Sequence, residues 1–563
     1  MRPRSVLEGR RIPGRSLRRI AAGIVAAGIG MSVLWTAGAG VVILWPAASA
    51  AQSLTRGPYL GVGTTSGVVI RWRTNVATDS RVRYGISHLA LDSSIDDPAL
   101  TTEHVVQVSG LNPDTRYFYS VGTTTGVLAG GDLAHFFTTS PAPGPPRQTR
   151  VWVIGDSGLP GAGAAGVRDA YLNYTGSRAT DVWLMLGDNA YSIGTDAQYQ
   201  AAVFDMYPQL LRNTVLWPTR GNHDVIFGGA NNDYYDIFTM PTAGEAGGLA
   251  SGTEAYYSFD YANVHFICLD SQGSSRLAIG PMLTWLGLDL AATSQDWIVA
   301  FWHHPPYTKG SHDSDNVADS GGRMRDMREN ALPILEAGGV DLVLGGHSHS
   351  YERSYLIDEH YGVSTTLHDT MRINTGDGNV FGDGAYLKTT LGPGAHEGTV
   401  YAVAGSSSRL GGGALNHPVM VTSLSALGSM VLDIDAAQLD AVFIDNAGAI
   451  RDGFTIIKGM TATALGERVP RADPRLSTGA PNPFAVATRL GYSLPGDGPA
   501  NLSIYDVRGR RVATLVDATL PAGDYTALWD GRRADGRRLA RGVYFGVLRF
   551  GGETRTRKIV YVR

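Results

Sequence analysis

From Arg150 onward, strand-like apolar runs alternate with helix-like segments, and this alternation constrains the fold more than any other feature of the sequence. Apolar runs at residues 151–154, 182–186 and 297–301 each lead into a polar loop. Helix-like segments separate the runs, for example over residues 324–338. This pattern predicts an α/β layered domain whose functional side chains lie in the loops that follow the strands.

The segments on either side of this region have a different pattern. At 563 residues the chain is too long for one hydrophobic core, so we expect several domains. Short strands without helical spacing dominate both flanks, and each flank predicts a β-sandwich. The predicted fold class is therefore multidomain: a β-sandwich, then an α/β layered domain, then a second β-sandwich. The predicted boundaries are 53–140, 147–458, a linker at 459–479, and 480–563.

The first 51 residues are predicted to be a signal peptide. An arginine-rich segment precedes an uncharged stretch over residues 20–51, which ends in the small-x-small pattern Ala48-Ser49-Ala50. The competing interpretation is an uncleaved membrane anchor, because the uncharged stretch is longer than a usual signal core. Either interpretation places the folded part outside the cytoplasm, secreted or at the cell surface.

Charge and cysteine content narrow the function classes. The net charge of −4 gives no reason to expect a nucleic-acid partner. The single cysteine, Cys268, excludes an intrachain disulfide and lies in an apolar run typical of a buried position.

Five loop motifs in the central region collect metal-ligating side chains. They are Gly155-Asp156-Ser157-Gly158, Gly187-Asp188-Asn189-Ala190-Tyr191, Gly221-Asn222-His223-Asp224, His303-His304-Pro305-Pro306-Tyr307 and Gly346-His347-Ser348-His349. Several follow an apolar run directly, so their side chains can converge at one edge of a sheet. Oxygen and imidazole donors of this kind suit Zn, Mn, Fe or Ni. Each motif alone is weak, but five in one domain predict a metal centre.

The order of these motifs resembles the calcineurin-like metallophosphoesterases. The spacing of Asp188 and Tyr191 resembles the purple acid phosphatases more closely, since that family has a tyrosine three residues after its bridging aspartate. The continuation of the last motif through Ser350-Tyr351-Glu352-Arg353 is also similar to that family, as is a fibronectin type III-like domain at 53–140 before the catalytic domain. The resemblance spans about residues 54–458.

The resemblance implies a binuclear centre. In that family's arrangement, Asp156, Tyr191 and His349 hold the first metal and Asn222, His303 and His347 hold the second, with Asp188 bridging both. His303 rather than His304 is implied, because the family's ligand precedes the proline by two positions. The expected metals are Fe(III) at the first position and Zn, Mn or Fe(II) at the second, since a tyrosine phenolate favours trivalent iron.

Two further histidines are candidate catalytic residues. His223 follows the predicted ligand Asn222 directly, and the resemblance implies a substrate-facing role for His312, nine residues beyond His303. Either residue can supply the proton that the leaving alkoxide needs. The alternative for His312 is a solvated surface histidine, because it lies in a polar loop.

The function that we expect is a secreted acid phosphatase, which hydrolyses small phosphate monoesters by attack of a metal-bound hydroxide. One competing prediction is a phosphodiesterase or nucleotidase, because the same metal core serves both reactions. A less favoured one is a surface adhesin whose central domain is inert.

The last 85 residues or so resemble FlgD-like immunoglobulin folds. The motifs that carry this resemblance are Pro481-Asn482-Pro483-Phe484, Tyr505-Asp506-Val507-Arg508-Gly509 and Trp529-Asp530-Gly531. They are also similar to the C-terminal sorting domains of type IX secretion substrates, which implies export or cell-surface attachment machinery as a partner. A plain β-sandwich without a sorting role is the alternative.

Overall fold

The structure is a computed structural model, and it describes residues 51–225, 233–380, 382–459, 474–476, 482–521, 523–533 and 536–562. The predicted signal peptide falls on residues 1–51, of which the structure describes only Ala51. Most of the predicted linker at 459–479 also lies outside the described residues. Among those that are described, no helix is both long enough and apolar enough to cross a bilayer.

The N-terminal β-sandwich is built around one long strand. Its strands are β1 (Leu54–Thr64), β2 (Gly67–Gly85), β3 (Ser93–Val108), β4 (Arg116–Gly122), β5 (Val127–Gly130) and β6 (Phe136–Thr138). β2 spans 19 residues and continues through register shifts between Arg73 and Ser80. Because β2 is so long, its first part pairs with β1 and its last part with β4, while β3 runs beside both.

The central domain contains two seven-stranded sheets. Its strands are β7 (Thr149–Ile154), β8 (Val182–Met185), β9 (Leu216–Pro218), β10 (Tyr257–Tyr261), β11 (Val264–Cys268), β12 (Trp297–Trp302), β13 (Leu342–Gly345), β14 (Tyr351–Ser354), β15 (Leu356–Ile357), β16 (Arg372–Asn374), β17 (Tyr386–Leu387), β18 (Val400–Ala404), β19 (Met420–Leu424), β20 (Gly428–Asp435), β21 (Gln438–Asp445) and β22 (Ile450–Ile457). One sheet has the order β17-β22-β21-β20-β7-β8-β9, and the other has the order β10-β11-β12-β13-β18-β14-β19. Strands β7 to β9 run parallel, as do β11, β12, β13 and β18.

Helices connect the parallel strands and cover the sheets. They are α1 (Ala162–Thr175), α2 (Asp196–Tyr199), α3 (Pro208–Leu211), α4 (Asp233–Ile237), α5 (Pro281–Ala292), α6 (Arg323–Asp326) and α7 (Leu332–Ala337). A π-helical segment, Met327–Ala331, joins α6 to α7, so the predicted helix at 324–338 forms with an irregular middle.

The apolar core of the central domain explains its layers. One cluster of buried residues joins side chains of both sheets and of α1, and it includes Trp152, which stacks on Tyr171 of α1, together with Phe266 and Phe301 of the second sheet. A second cluster lies on the other side of the second sheet, where α5 and α7 pack against β12 and β13. Strands buried on both faces are expected to be continuously apolar, which explains the uninterrupted apolar runs in the sequence.

The N-terminal sandwich packs directly on the central domain. Tyr59 belongs to the first buried cluster of the central domain, and its hydroxyl donates to the carbonyl oxygen of Ile237 at 2.8 Å. Arg56 and Arg73 both form ion pairs with Asp196, at 2.8 and 2.6 Å. The sandwich therefore holds the segment that follows Tyr191 and leads into α2.

The C-terminal unit is a second β-sandwich. Its strands are β23 (Arg475–Leu476), β24 (Thr488–Leu494), β25 (Gly498–Asp506), β26 (Arg511–Leu520), β27 (Gly523–Trp529), β28 (Gly542–Phe550) and β29 (Glu553–Tyr561). Sheets with the orders β23-β24-β27 and β26-β25-β28-β29 enclose a core that includes Leu490, Leu502, Trp529 and Leu548. The predicted order of β-sandwich, α/β layered domain and β-sandwich is therefore confirmed.

Candidate metal centre

The predicted ligands lie in the loops after five parallel strands. Asp156 follows β7, Asp188 follows β8, Asn222 follows β9, His303 follows β12 and His347 follows β13. The carboxyl ends of parallel strands meet at one edge of a sheet, so strands from both sheets bring these side chains together.

The backbone at these loops is turned sharply. Asp156, Asp188 and His347 have φ values of 53°, 52° and 66°, in the left-handed region that non-glycine residues rarely adopt. Strain of this kind clusters at functional sites, where the surrounding structure holds it. Glycine is required beside the ligands: a Cβ on Gly221 would lie 2.2 Å from Asp188 Oδ1, and one on Gly187 would lie 2.6 Å from His303 Nδ1.

Three of the predicted ligands form the first donor set. Tyr191 Oη lies 3.0 Å from Asp156 Oδ1 and 3.2 Å from His349 Nε2. His349 Nε2 in turn lies 3.4 Å from Asp156 Oδ1. Ligands bound to one cation at about 2.0–2.2 Å lie roughly 3–3.5 Å from one another, so the first donor set has the spacing of a metal site.

The other three form the second donor set. His303 Nε2 lies 3.0 Å from Asn222 Oδ1 and 3.2 Å from His347 Nδ1. His303 Nδ1 donates a hydrogen bond to the Leu186 carbonyl oxygen at 2.8 Å, so its Nε2 lone pair faces the donor set. Ser320 Oγ lies 2.6 Å from His347 Nε2 and can fix that nitrogen, which leaves Nδ1 directed inward.

Asp188 lies between the two donor sets. Its Oδ2 accepts a hydrogen bond from Tyr191 at 3.0 Å, and its Oδ1 lies 3.3 Å from His303 Nε2. One carboxylate oxygen thus faces each donor set. This is the arrangement that a bridging ligand between two cations requires.

The electrostatics of the two donor sets are consistent with cation binding. Burial raises the pKa of the Asp188 carboxyl, and the charge of Asp156 adds to this effect. Burial, followed by the charges of Asp156 and Asp188, raises the pKa of the Tyr191 hydroxyl well above its usual value. Burial and neighbouring histidines hold the pKa of His347 well below its usual range, so this ring is neutral and can ligate. Bound cations would stabilise the ionised oxygens.

His223 lies at the edge of the first donor set. Its Nδ1 donates to the carbonyl oxygen of Ser192 at 2.7 Å, and its Nε2 lies 4.0 Å from Asp188 Oδ2. Its ring centre is 4.6 Å from that of Tyr191, and 37% of its side chain is exposed. Among the residues that the structure describes, none forms a hydrogen bond with Nε2, and the partly exposed ring is accessible to a substrate next to the candidate centre.

His312 lies at the second donor set. Its ring stacks on His347 with centres 3.8 Å apart, and its Nδ1 is 2.9 Å from Asp319 Oδ1. The alternative from the sequence was that His312 is a solvated surface histidine. In the structure, His312 instead packs against the predicted ligand His347.

His304 packs behind the second donor set. It is 1% exposed, and its Nδ1 lies 2.8 Å from Ser271 Oγ. Burial, with the charge of His303 second, holds the pKa of His304 well below its usual range. A donor atom of His304 still lies within 4.8 Å of donor atoms of His303 and His347.

Asp224 connects two of the ligand loops. Its carboxylate accepts hydrogen bonds from the backbone of Gly221 at 2.8 Å and Asn189 at 2.9 Å, and from the Tyr199 hydroxyl at 2.7 Å. Burial, followed by the charge of Asp188, raises its pKa to about 6. Sequence reasoning missed Ser320, Asp319 and Tyr199, since none of them belongs to a ligand motif.

Three regions of the chain match known families. Residues 149–351 match the calcineurin-like phosphoesterase family, and residues 56–139 match the N-terminal domain of purple acid phosphatases. Residues 485–545 match the FlgD Ig-like domain.

Curated proteins similar to this chain include purple acid phosphatases. Purple acid phosphatase 15 of Arabidopsis thaliana is 26% identical over 278 residues, which are 45% of this chain and 49% of that protein. Purple acid phosphatase 1 of Ipomoea batatas is 26% identical over 324 residues, which are 54% of this chain and 63% of that protein. The chain thus spans about half to just under two thirds of these relatives.

A solved structure has the same fold. The purple acid phosphatase PPD1 from yellow lupin (Lupinus luteus) seeds matches with a TM-score of 0.54 and 18% identity, over 71% of this chain and 74% of that chain.

The chain is therefore a homologue of the purple acid phosphatases, with their N-terminal domain before a calcineurin-like phosphoesterase domain and a FlgD Ig-like domain after it.

Proposed function

We propose that this protein is a secreted, binuclear metal-dependent hydrolase of phosphate monoesters. The proposal is supported above all by the position of Asp188, whose two oxygens face one donor set each, at 3.0 Å from Tyr191 Oη and 3.3 Å from His303 Nε2. The homology to purple acid phosphatases supports the same class of reaction.

The predicted ligands would hold two cations. Asp156, Tyr191 and His349 would hold the first, Asn222, His303 and His347 the second, and Asp188 would contact both. When bound, the cations would neutralise the phosphoryl oxygens and lower the pKa of a water molecule so that a nucleophile forms near neutral pH.

Hydrogen bonds within the protein would hold the predicted ligands in place for the reaction. The hydrogen bond from His303 to the Leu186 carbonyl fixes the ring, and the hydrogen bonds that the Asp224 carboxylate accepts fix the loops that carry Asp188 and Asn222. Because these groups are held before the substrate arrives, little reorganisation is needed during the reaction.

His223 would donate the proton to the leaving oxygen. Its Nδ1 is engaged with Ser192, so Nε2 is the nitrogen that can carry a transferable proton toward the substrate. His312, stacked on His347, would contact the substrate from the other donor set.

The two donor sets favour different metals. Asp156 and Tyr191 give the first set anionic oxygens, which suit Fe(III). Asn222 and two histidines give the second set neutral donors, which suit Zn, Mn or Fe(II).

Hydrolysis of a panel of phosphate esters by the purified, metal-loaded protein tests this proposal. We expect turnover of p-nitrophenyl phosphate that chelation abolishes and metal addition restores. Faster turnover of bis-p-nitrophenyl phosphate would favour a phosphodiesterase of the same superfamily. No turnover of either ester by protein that contains two metals would contradict the proposal and favour an inert, adhesin-like central domain.

The C-terminal sandwich would serve export or surface attachment rather than catalysis. The match of residues 485–545 to the FlgD Ig-like domain supports this weakly, and the predicted ligands all lie between residues 156 and 349. Expression of the chain shortened after residue 480 in its native host tests it. The shortened protein should keep its catalytic constants and lose its final location, and a metal-loaded but inactive product would contradict this role.

A further inference from the structure

Arg409 is an exposed cation beside the candidate metal centre. Its guanidinium carbon lies 5.6 Å from the centre of the Tyr191 ring. Within the described parts of the chain, its side chain forms no ion pair and no hydrogen bond. A guanidinium presents five donors, and here they are available to a ligand.

The other cations near the centre are already engaged. Lys309 pairs with Asp315 at 3.0 Å, and Arg220 pairs with Asp270 at 3.1 Å. Arg323 donates to the carbonyl oxygen of Ser320 at 2.7 Å. Arg409 differs from all three because its only described partner is an aromatic ring.

The segment that carries Arg409 is fixed to the loops of two predicted ligands. The backbone N–H of Ser407 donates to the Gly155 carbonyl oxygen at 3.1 Å, and the Ser408 hydroxyl donates to the carbonyl oxygen of Asp156. On the other side of Arg409, the backbone N–H of Gly411 donates to the His349 carbonyl oxygen at 2.9 Å. The position of Arg409 relative to the first donor set is therefore set by the main chain.

Arg409 and His223 border the same ring. The His223 ring centre lies 4.6 Å from that of Tyr191, and the Arg409 guanidinium also contacts Tyr191. A proton donor must reach the leaving oxygen, so the leaving group of a bound ester extends past His223. A charge on that leaving group would then lie within reach of Arg409.

We propose that Arg409 selects phosphate monoesters whose leaving group carries a second anionic group, either a carboxylate or a further phosphate. The planar guanidinium can form two parallel hydrogen bonds with either a carboxylate or a phosphate. This inference rests on the proposed phosphomonoesterase function and assigns its substrate class.

Two matched pairs of substrates separate the two anionic groups. Glycerol 3-phosphate and 3-phosphoglycerate share a three-carbon skeleton and differ by a carboxylate. Fructose 6-phosphate and fructose 1,6-bisphosphate differ by a phosphate. The measurement is kcat/KM for each ester with wild-type protein, Arg409→Gln, Arg409→Lys and the control Arg541→Gln, which removes an exposed arginine of the C-terminal sandwich.

We expect wild-type protein to prefer the more anionic member of at least one pair. Arg409→Gln should lower that preference by about threefold to tenfold, mainly through KM, as expected for a partly exposed charge-assisted pair. Arg409→Lys should retain part of the preference, Arg541→Gln should leave it unchanged, and added salt should weaken it in the wild type.

An unchanged preference in Arg409→Gln, or an equal loss on both members of each pair, would overturn the inference while leaving the proposed function intact. Absence of turnover of all four esters and of p-nitrophenyl phosphate by metal-loaded wild-type protein would instead contradict the proposed function, and the inference would fall with it.

Discussion

The two donor sets of the candidate centre share Asp188 but differ in charge. The first set combines the Asp156 carboxylate and the Tyr191 hydroxyl with one histidine, whereas the second combines the Asn222 amide with two histidines. Anionic oxygens stabilise a cation of higher charge, and neutral donors suit a divalent one. This difference supports the proposal that the centre holds two unlike metals.

The surroundings of the two sets differ as well. Beside the first set lie His223, partly exposed, and the exposed Arg409, both in contact with Tyr191. Around the second set, His303 is fully buried, and Ser320 lies within hydrogen-bonding distance of His347. In the function that we propose, the leaving group of the substrate therefore lies on the side of the first set.

The largest effect should come from removing the ligand that the two sets share. Asp188→Ala should abolish nearly all activity and most of the metal content, because both sets lose a carboxylate oxygen. The control Asp169→Ala removes an exposed acid from α1 and should change neither. Two metals per chain and normal turnover in Asp188→Ala would show that the assignment of the centre is wrong.

The next largest effect should come from the proton donor beside the first set. His223→Ala should lower turnover by about 10²–10⁴ while the metal content stays near that of the wild type. The loss should be small for esters with good leaving groups, which need no proton. An equal loss for good and poor leaving groups would make the general-acid role untenable.

A smaller effect should be confined to the second set. Ser320→Ala removes the hydroxyl that lies 2.6 Å from His347 Nε2 and should weaken binding of the second metal by about 10–100-fold. Titration of each metal into the apoprotein measures this effect, with the exposed Ser177→Ala as the control. Equal weakening of both metals would contradict the separate support of the two sets.

The smallest effect on turnover should come from removing the phenol oxygen of Tyr191 in the first set. Tyr191→Phe keeps the ring and removes only the oxygen, so it tests ligation without opening a cavity. The iron-loaded wild-type protein should be violet or pink from charge transfer between phenolate and Fe(III), and the variant should be bleached. A visible band that survives in Tyr191→Phe would exclude Tyr191 as its source.

The positions of the loops that carry the predicted ligands could be read from the sequence, because the pattern that marks each loop is local. A buried strand is an apolar run, and the ligand follows its end, often next to a glycine, as at Gly187-Asp188 and Gly221-Asn222. The order of the three folded units was also predictable, since strands alternate with helix-like segments in the central region and not in either flank.

The supporting residues could not be predicted in the same way. Ser320 reaches His347 from a loop 27 positions earlier in the chain, and Tyr199 reaches Asp224 from a helix 25 positions earlier. Arg409 lies in a serine- and glycine-rich loop whose path depends on hydrogen bonds to the ligand loops. Such contacts depend on how loops fold over one another, and no short motif encodes that.

The role of Asp188 is tested most directly by the metal-to-protein ratio of the purified wild-type chain and of Asp188→Ala, measured by elemental analysis together with the visible spectrum. We expect two metals per chain in the wild type, one of them iron with a visible band, and less than one metal in the variant without the band. One metal per fully active wild-type chain, or an unchanged ratio in Asp188→Ala, would contradict the claim that Asp188 joins two unlike metal sites.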